Sequence, residues 1–398
     1  MSLPAIVPAT DAGDRYAGIA ARRAERLTAT TTERDAAGRF PDGLLAELAA
    51  DGLAAMCVPV ELGGGGIDSY SDLMAVVARL GRGDGSTAIA ANMHLAFTMA
   101  MARAGLAADL LAQVAAGEAW VCAAVTEGGT NYFHPATTLT PRPDGWRLEG
   151  TKVFATASPA ATHLTVNALV RGGELDGRLA MTLLPVATPG VTVADDWDGL
   201  GMRASGSGSV RLEADLPADT LVLPGGRYGE FDAGALVGRA LGNVGNLAAM
   251  VGVAEGAAAE ALAGVHRRER VGEPLADRPT VRHAVGEMVA ELSTATAVAE
   301  TLGRRADAVV ASGPPDLAGA HLFMATFQAA KVAIHHTTIR AADLAMDLAG
   351  GGAYVAGNPV GQRYRDVRAG PYMEPFSRHE ALGYLGAVLT GREPDTRA

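Results

Sequence analysis

The stretch YRDVRAGPYMEPFSRHEALGYLG, Tyr364 to Gly386, sets one carboxylate, Glu374, among Pro371, Tyr372, Met373, Pro375 and Phe376. A carboxylate drawn out of water holds its proton more tightly than a solvated one, which suits a general base working near neutral pH. Glu374 therefore lies either on a surface loop or in a dry place where the fold holds it for a reason. A second group of residues suits a flat heterocyclic ligand. TEGGTNYF (Thr126 to Phe133) follows the apolar run AWVCAAV. A turn rich in hydroxyls and amides at a strand end can hydrogen-bond a ring edge, although its bland reading is a plain turn. In KVFATAS (Lys152 to Ser158) the two-residue strand period puts Phe154 and Thr156 on one face, an aromatic to stack and a hydroxyl to bond, or else simply a core face. The basic cluster HRRER (His266 to Arg270) suits a phosphorylated ligand.

Other chemistries lack their frames. GLGMRA (Gly199 to Ala204) matches GxGxxA, but SGSGSVRLEADL follows it as loop and strand, where a dinucleotide fingerprint needs a helix. His335 and His336 point about 100° apart on a helix and cannot share a metal ion. Serine-rich ASGSGS lacks a nucleophile elbow, and His94, inside an apolar helix, reads as a satisfied core histidine. GGGAYVAG (Gly350 to Gly357) reads as a helix C-cap and turn. Cys57 and Cys122 make no disulfide framework or metal spacing, and the N-terminus has no signal-peptide pattern, so a reducing cytoplasm is the expected setting. A net charge of −11 argues against nucleic-acid partners, and the lack of a run of about 18 purely apolar residues argues against a membrane span.

The elements that would position these residues fall into three regions of an α+β chain. Residues 1–120 carry helical periodicity, as in DGLLAELAADGLAAM and DLMAVVARLG, with a further helix from Gly85 to Gly105 opened by a Ser-Thr cap. Residues 121–225 shift to a period of two, with WRLEGTKVFATAS, HLTVNALV, RLAMTLLPV and SVRLEADL separated by turn signals. Strands in succession without helices between them imply an antiparallel sheet or barrel. Residues 226–398 return to helical stripes, Met250, Ala254, Ala258, Leu262 and Val265 in one and Val281, Val285, Met288 and Leu292 in another. A long helix from Leu317 to Leu348 is capped by Asp316.

In their order along the chain these segments resemble the acyl-CoA dehydrogenase family over about residues 15 to 390. TEGG resembles the family's TEPGAGS, EGTKVFATAS its strand ending in Trp-Ile-Thr-Asn, and GLGMRASGSGSVRLEADLPADTLV its sheet-exit segment. RRERVG resembles R-x-x-F-G, and LAGGGAY…YRDVR resembles Q-x-x-G-G-x-G…YRD. The resemblance implies an N-terminal helical domain, a middle antiparallel β-barrel domain and a C-terminal four-helix domain. It also implies FAD, with FMN the lesser option, and a homotetramer or homodimer that completes each flavin site. Carried over, Val125 and Thr126 contact the flavin ring, Phe154 replaces the stacking Trp, and Thr156 is the flavin-bonding Thr. Arg268 reaches a partner subunit's pyrophosphate, Gly351 lies in the glycine turn, and Asn243 takes the place of a substrate-side Arg. Glu374 falls at the family's base position. That implies α,β-dehydrogenation of an acyl thioester on CoA or a carrier protein, with electrons passed to an acceptor such as an electron-transfer flavoprotein.

The sequence also departs from the family. Pro375-Phe376 replaces Gly-Thr after the glutamate, Asp347 replaces Gln, Val271 replaces Phe, and Gly242 stands where one branch keeps an alternative glutamate. These changes sustain an alternative on the same fold, a flavin monooxygenase oxidising nitrogen or sulfur, of the nitrososynthase kind, with FMN or loosely held flavin.

Overall fold

The computed structural model describes residues 3–397. Five helices come first: α1 (Asp11–Ala37), α2 (Leu44–Ala50), α3 (Tyr70–Gly83), α4 (Gly85–Ala104) and α5 (Ala108–Ala115). Their ends follow from local chemistry. Thr10 caps α1 by accepting from the Gly13 N–H, and Gly38, with φ 63°, closes it in the left-handed region. The cap of α4 is Asp84, which accepts from the Thr87 N–H at 2.7 Å; Ser86 and Thr87, expected as the cap, lie inside the first turn. An acid two residues before Ser86 wins because its carboxylate also complements the positive end of the helix.

The middle region is an eight-stranded sheet in the order β6-β7-β3-β2-β4-β5-β8, with β1 also on β4. Its strands are β1 (Val121–Ala124), β2 (Thr138–Arg142), β3 (Gly145–Lys152), β4 (His163–Val170), β5 (Arg178–Pro185), β6 (Val191–Val193), β7 (Val210–Pro217) and β8 (Val222–Arg227). Most pairings are antiparallel, as the turn signals imply, but β1 and β2 both run parallel to β4. β1 pairs with His163–Val166 and β2 with Leu169–Val170. The two short strands thus lie end to end along one edge of β4, and residues 125–137 leave that edge and return to it. The chain's first functional loop is an excursion from a single interrupted edge.

The remaining helices are α6 (Ala233–Arg267), α7 (Pro279–Ala311), α8 (Leu317–Ala349), α9 (Pro359–Asp366) and α10 (Arg378–Leu389), with a two-residue hairpin, β9 (Glu269–Arg270) and β10 (Glu273–Pro274), after α6. Asp316 caps α8 as the sequence implies. Helices α6 and α8 are long and apolar enough to cross a membrane; α6 is mostly buried inside the protein, and about half of α8 is, with Leu317 and Leu322 exposed. One helical core includes Leu73, Met74 and Val77 of α3, Leu247 and Met250 of α6, and Phe327 of α8; the sheet keeps a separate core. Glycines permit the α3–α6 approach. A Cβ on Gly252 would stand 2.0 Å from the Ala78 carbonyl oxygen, and one on Gly81 2.6 Å from that of Ala249.

A polar seam joins α1, α4, α9 and the Gly199–Arg203 loop. Asp366 accepts from the Met202 N–H at 2.6 Å, and Arg365 pairs with Asp35 at 2.5 Å and donates to the Leu200 carbonyl at 2.9 Å. Burial, with a smaller push from Asp84 and Asp35, raises the Asp366 carboxyl to about 7. Its folded value lies above that of a free carboxyl, so the stability its proton confers is complete below about pH 4 and lost as pH rises through 7. Asp366→Asn keeps the acceptor for Met202 and removes the buried charge. The variant is expected to gain roughly 1–3 kcal/mol over wild type at pH 8 and little at pH 4, as checked by chemical denaturation at both pH values.

Candidate active site

The loop at residues 125–137 is held from below by a buried ion pair. Lys152, at the end of β3, is fully buried and donates to Glu127 at 2.5 Å, to Asn167 at 2.8 Å and to the Val125 carbonyl at 3.3 Å. Glu127 accepts in turn from the Ala136 and Thr137 N–H groups at 2.7 and 3.2 Å. Burial lowers Lys152 to about 8 against the pull of Glu127, and the Lys152 contacts hold Glu127 below the usual carboxylate range against its own burial. A buried charge persists only when its hydrogen bonds are filled, and here both partners are filled by the loop they organise.

That pair sets Val125 and Thr126 beside the segment after β3, where the Val153 N–H donates to the Thr126 carbonyl at 2.8 Å. Phe154 and Thr156 do not share a strand face as the periodicity implies, because β3 ends at Lys152. The backbone turns left-handed at Phe154 (φ 55°) and Ala157 (φ 63°), a conformation costing about 1–2 kcal/mol for a residue with a Cβ. Backbone bonds to the serine-rich stretch hold it there, from Ala155 to the Gly208 carbonyl and from Ala157 to that of Ser205. ASGSGS is thus a docking rail for this turn. The outcome is an aromatic ring, Phe154, 61% exposed with Trp197 edge-on at 6.1 Å, beside a row of hydroxyls: Thr156 to Ser207 at 2.9 Å and Ser207 to Ser205 at 2.7 Å. An available apolar ring face next to a polar edge fits an isoalloxazine, which has flat faces and a rim of hydrogen-bonding atoms.

Glu374 sits otherwise than the sequence implies. Its side chain is 34% exposed and forms an ion pair with Arg239 of α6. The Arg239 guanidinium is itself nearly buried, 4.7 Å from the Tyr132 ring centre, 5.3 Å from Phe133 and 5.6 Å from Phe376. Tyr132 and Phe133 come from the 125–137 loop, so one cation joins the proposed cofactor loop, α6 and the loop of Glu374. The carboxylate is not isolated among apolar groups; it is the counter-ion of an arginine in an aromatic cage.

The other inferred residues separate into two places. Asn243 lies one turn beyond Arg239, donating to its carbonyl at 2.8 Å and accepting from Asn246 at 3.0 Å; Asn246 accepts from Asn92 of α4 at 3.0 Å. It therefore stands beside the Arg239–Glu374 pair. Arg268 and Gly351 lie elsewhere, at the end of α8. The Arg268 guanidinium donates to the Gly264 carbonyl at 3.1 Å, to Ala349 at 2.6 Å and to Leu348, so it caps its own bundle, and Gly351 is exposed in the turn that follows. His94 is a core residue: its Nδ1 accepts from the Val121 N–H and its Nε2 donates to the Ala54 carbonyl, each at 3.0 Å, while burial lowers it to about 4. No cluster of metal-ligating side chains occurs among the described residues.

Sequence reasoning missed Arg239 and Lys331. The first carried a signal, since RALGN puts Arg239 four residues before Asn243 and hence on the same helix face. The second is one of only two lysines in the chain and interrupts the apolar run AAKVA.

Comparisons with known proteins agree with the architecture and revise the chemistry. The acyl-CoA dehydrogenase N-terminal, middle and C-terminal domain models match residues 19–118, 122–214 and 240–374. The amino sugar nitrososynthase DnmZ of Streptomyces peucetius is 34% identical, covering 97% of this chain and 95% of that protein. The L-evernosamine nitrososynthase of a Micromonospora species is 33% identical over 98% of this chain and 93% of its own. Among solved structures, KijD3 in complex with FMN and dTDP-3-amino-2,3,6-trideoxy-4-keto-3-methyl-D-glucose superposes with a TM-score of 0.90 at 33% identity, covering 98% of this chain and 96% of that one. These relatives overturn the expectation of acyl thioester α,β-dehydrogenation with Glu374 as base, because proteins a third identical over nearly full length are nitrososynthases. The ion pair gives the physical reason, a carboxylate already engaged by a guanidinium. With the helical, β and helical regions in family order and a cradle suited to a flavin ring, the chain belongs to the acyl-CoA dehydrogenase family of flavin-dependent oxidoreductases.

Proposed function

We propose that this chain is a flavin-dependent monooxygenase that oxidises the amino nitrogen of a nucleotide-linked amino sugar, using reduced FMN delivered by a separate reductase. The observation that carries the reading is the Arg239–Glu374 ion pair. Removing a proton from carbon needs a carboxylate free to approach that carbon, whereas oxidising an amine needs the nitrogen lone pair unprotonated and well placed. With Glu374 matched by Arg239, the carboxylate does not trap the amine as an ammonium ion. The likeness to nitrososynthases, and to a structure holding FMN with a dTDP-linked amino sugar, supports the same substrate class.

Bound reduced flavin supplies, from O2, the oxygen atom that nitrogen receives; the second oxygen leaves as water. The protein's part is placement. Val125, Thr126, Phe154 and Thr156 would hold the ring, with Phe154 offering an aromatic face and Thr156 a hydroxyl. Tyr132, Phe133 and Phe376, packed around Arg239, keep water from the nitrogen side, and Asn243 presents its half-buried amide to the sugar. The choice of FMN over FAD is part of the proposal, and the end of α8 supports it. Arg268 is committed to three carbonyls, Asp347 adds a carboxylate where a diphosphate tail would need donors, and Val271 is 95% exposed. The exposed apolar side chains of Val271 and Tyr354 suit a homodimer or homotetramer contact.

Three outcomes are expected. The protein, supplied with FMN, a flavin reductase and a dTDP-linked 3-amino sugar, consumes O2 and yields sugar oxidised at nitrogen, read by mass spectrometry. Oxygen uptake without any change in the sugar would end the reading. FMN binds at least about tenfold more tightly than FAD in flavin-fluorescence titrations, a difference of roughly 1.4 kcal/mol. Glu374→Gln keeps measurable N-oxidation while losing about 1–3 kcal/mol of stability, because Arg239 is left without its counter-ion. A fully inactive yet equally stable variant would give Glu374 a chemical role instead.

A further inference from the structure

Lys331 lies in the middle of α8 and is only 1% exposed. Its Nζ donates to the carbonyls of Met373, Pro375 (3.2 Å) and Phe376, and Gln328, one turn earlier, donates to Pro375 as well at 3.1 Å. These carbonyls belong to the irregular segment that carries Glu374 between Tyr372 and α10. There Phe376 adopts a left-handed φ of 64°. The loop is therefore shaped by side chains from α8. An ammonium has three N–H donors, and here three carbonyls take them. Burying a charge costs several kcal/mol, so a position that needed only volume would be filled more stably by Met or Leu.

We propose that Lys331 is a positioning residue for the active site: by gathering the carbonyls of Met373, Pro375 and Phe376, its ammonium sets where Glu374 meets Arg239 and where Phe376 closes the aromatic cage, and loss of its proton releases the loop. This deepens the N-oxidation reading and rests on it for the link to turnover. The charged and titratable groups around Lys331 are Glu374 in the loop, Glu380 and Arg378 of α10, Arg239 of α6, and His335 and His336 of α8. His335 stays neutral, lowered to about 3 by burial and by Lys331 itself. A cavity of about 100 Å³ lined by Lys331, His335, His336 and Arg378 borders the ammonium. Burial lowers Lys331 to about 8 despite the attraction of Glu374. The neutral amine has two N–H groups and a lone pair, so one of the three carbonyl oxygens then faces a lone pair and the loop loses its register.

The test is hydrogen exchange of residues 372–378 in the FMN-supplied protein from pH 7 to 9.5, corrected for intrinsic exchange, alongside the pH profile of kcat and KM for N-oxidation. In wild type the loop should lose protection about tenfold or more with a midpoint near pH 8, while α6 and α8 stay protected, and kcat should fall through the same pH. In Lys331→Met the loop should exchange fast at every pH, with kcat lowered about tenfold or more and no limb near pH 8. Lys331→Arg, whose guanidinium keeps its proton, should hold protection to pH 9.5. Loop protection in wild type that is flat through pH 9.5, or a Lys331→Met protein with wild-type protection and kcat, overturns the proposal. Should Lys331→Met fail to fold, the wild-type profile and the Arg variant decide. Loop exchange needs no substrate, so a loop that titrates as described in a protein that oxidises no amine upholds Lys331 while removing the N-oxidation reading.

Discussion

A guanidinium packed under aromatic rings needs a counter-charge close by, and Arg239 finds it in Glu374. The pair joins three pieces of chain distant in sequence: the 125–137 loop through Tyr132 and Phe133, α6 through Arg239, and the loop before α10 through Glu374 and Phe376. Each piece is irregular at the point of contact except α6, so the cation on the rigid helix is the reference to which both loops are set. The guanidinium is nearly buried and the carboxylate 34% exposed, so the attraction is partly screened yet stronger than that of the same pair in open water.

The two lysines extend this logic. Lys152 holds the loop at the flavin cradle and Lys331 the loop of Glu374, each nearly free of solvent and each with three acceptors. Every other basic side chain in this sequence apart from the histidines is arginine. The distinction has a physical basis. A guanidinium is a planar fork that meets a carboxylate and ring faces at Arg239 and three carbonyls at Arg268, whereas an ammonium is a compact donor whose three N–H groups diverge tetrahedrally. Loops cannot satisfy their own backbone groups as helices and strands do, so a buried three-donor group is one of the few ways to fix carbonyls in an irregular segment.

The fold was largely legible in the sequence. The change from a period of 3.6 to 2 and back, the Asp316 cap, and motif order placed helices, sheet and bundle in their observed sequence. Periodicity is dictated residue by residue, so it survives without knowledge of tertiary contacts. What failed was local and tertiary. Phe154 and Thr156 leave the strand pattern because Lys152 and the Ser205–Gly208 rail turn the backbone, and neither bond has a trace in the alternation. Glu374 looked secluded because its sequence neighbours are apolar, yet its partner sits 135 residues upstream. Arg268 matched a phosphate-binding motif, and the motif carries no trace of the three carbonyls its guanidinium meets at the ends of α6 and α8. A motif reports which groups exist and is silent about which are already occupied.

That distinction explains how one architecture passes from one chemistry to another with few changes. The proposed cradle of Val125, Thr126, Phe154 and Thr156 rests on the sheet and the Lys152–Glu127 pair, and its loop also meets the helical side where Tyr132 and Phe133 pack on Arg239. The substrate side depends on α6 and α8, where single side chains decide whether a carboxylate is free or matched. Arg239, one turn before Asn243, engages Glu374 as a counter-ion within the family's helical arrangement. The sheet has its own hydrophobic core, while the main helical core takes in Phe133 of the 125–137 loop and Ala157 of the turn after β3. A substitution at Arg239 therefore acts on the 125–137 loop as well as on Glu374, because both meet its guanidinium.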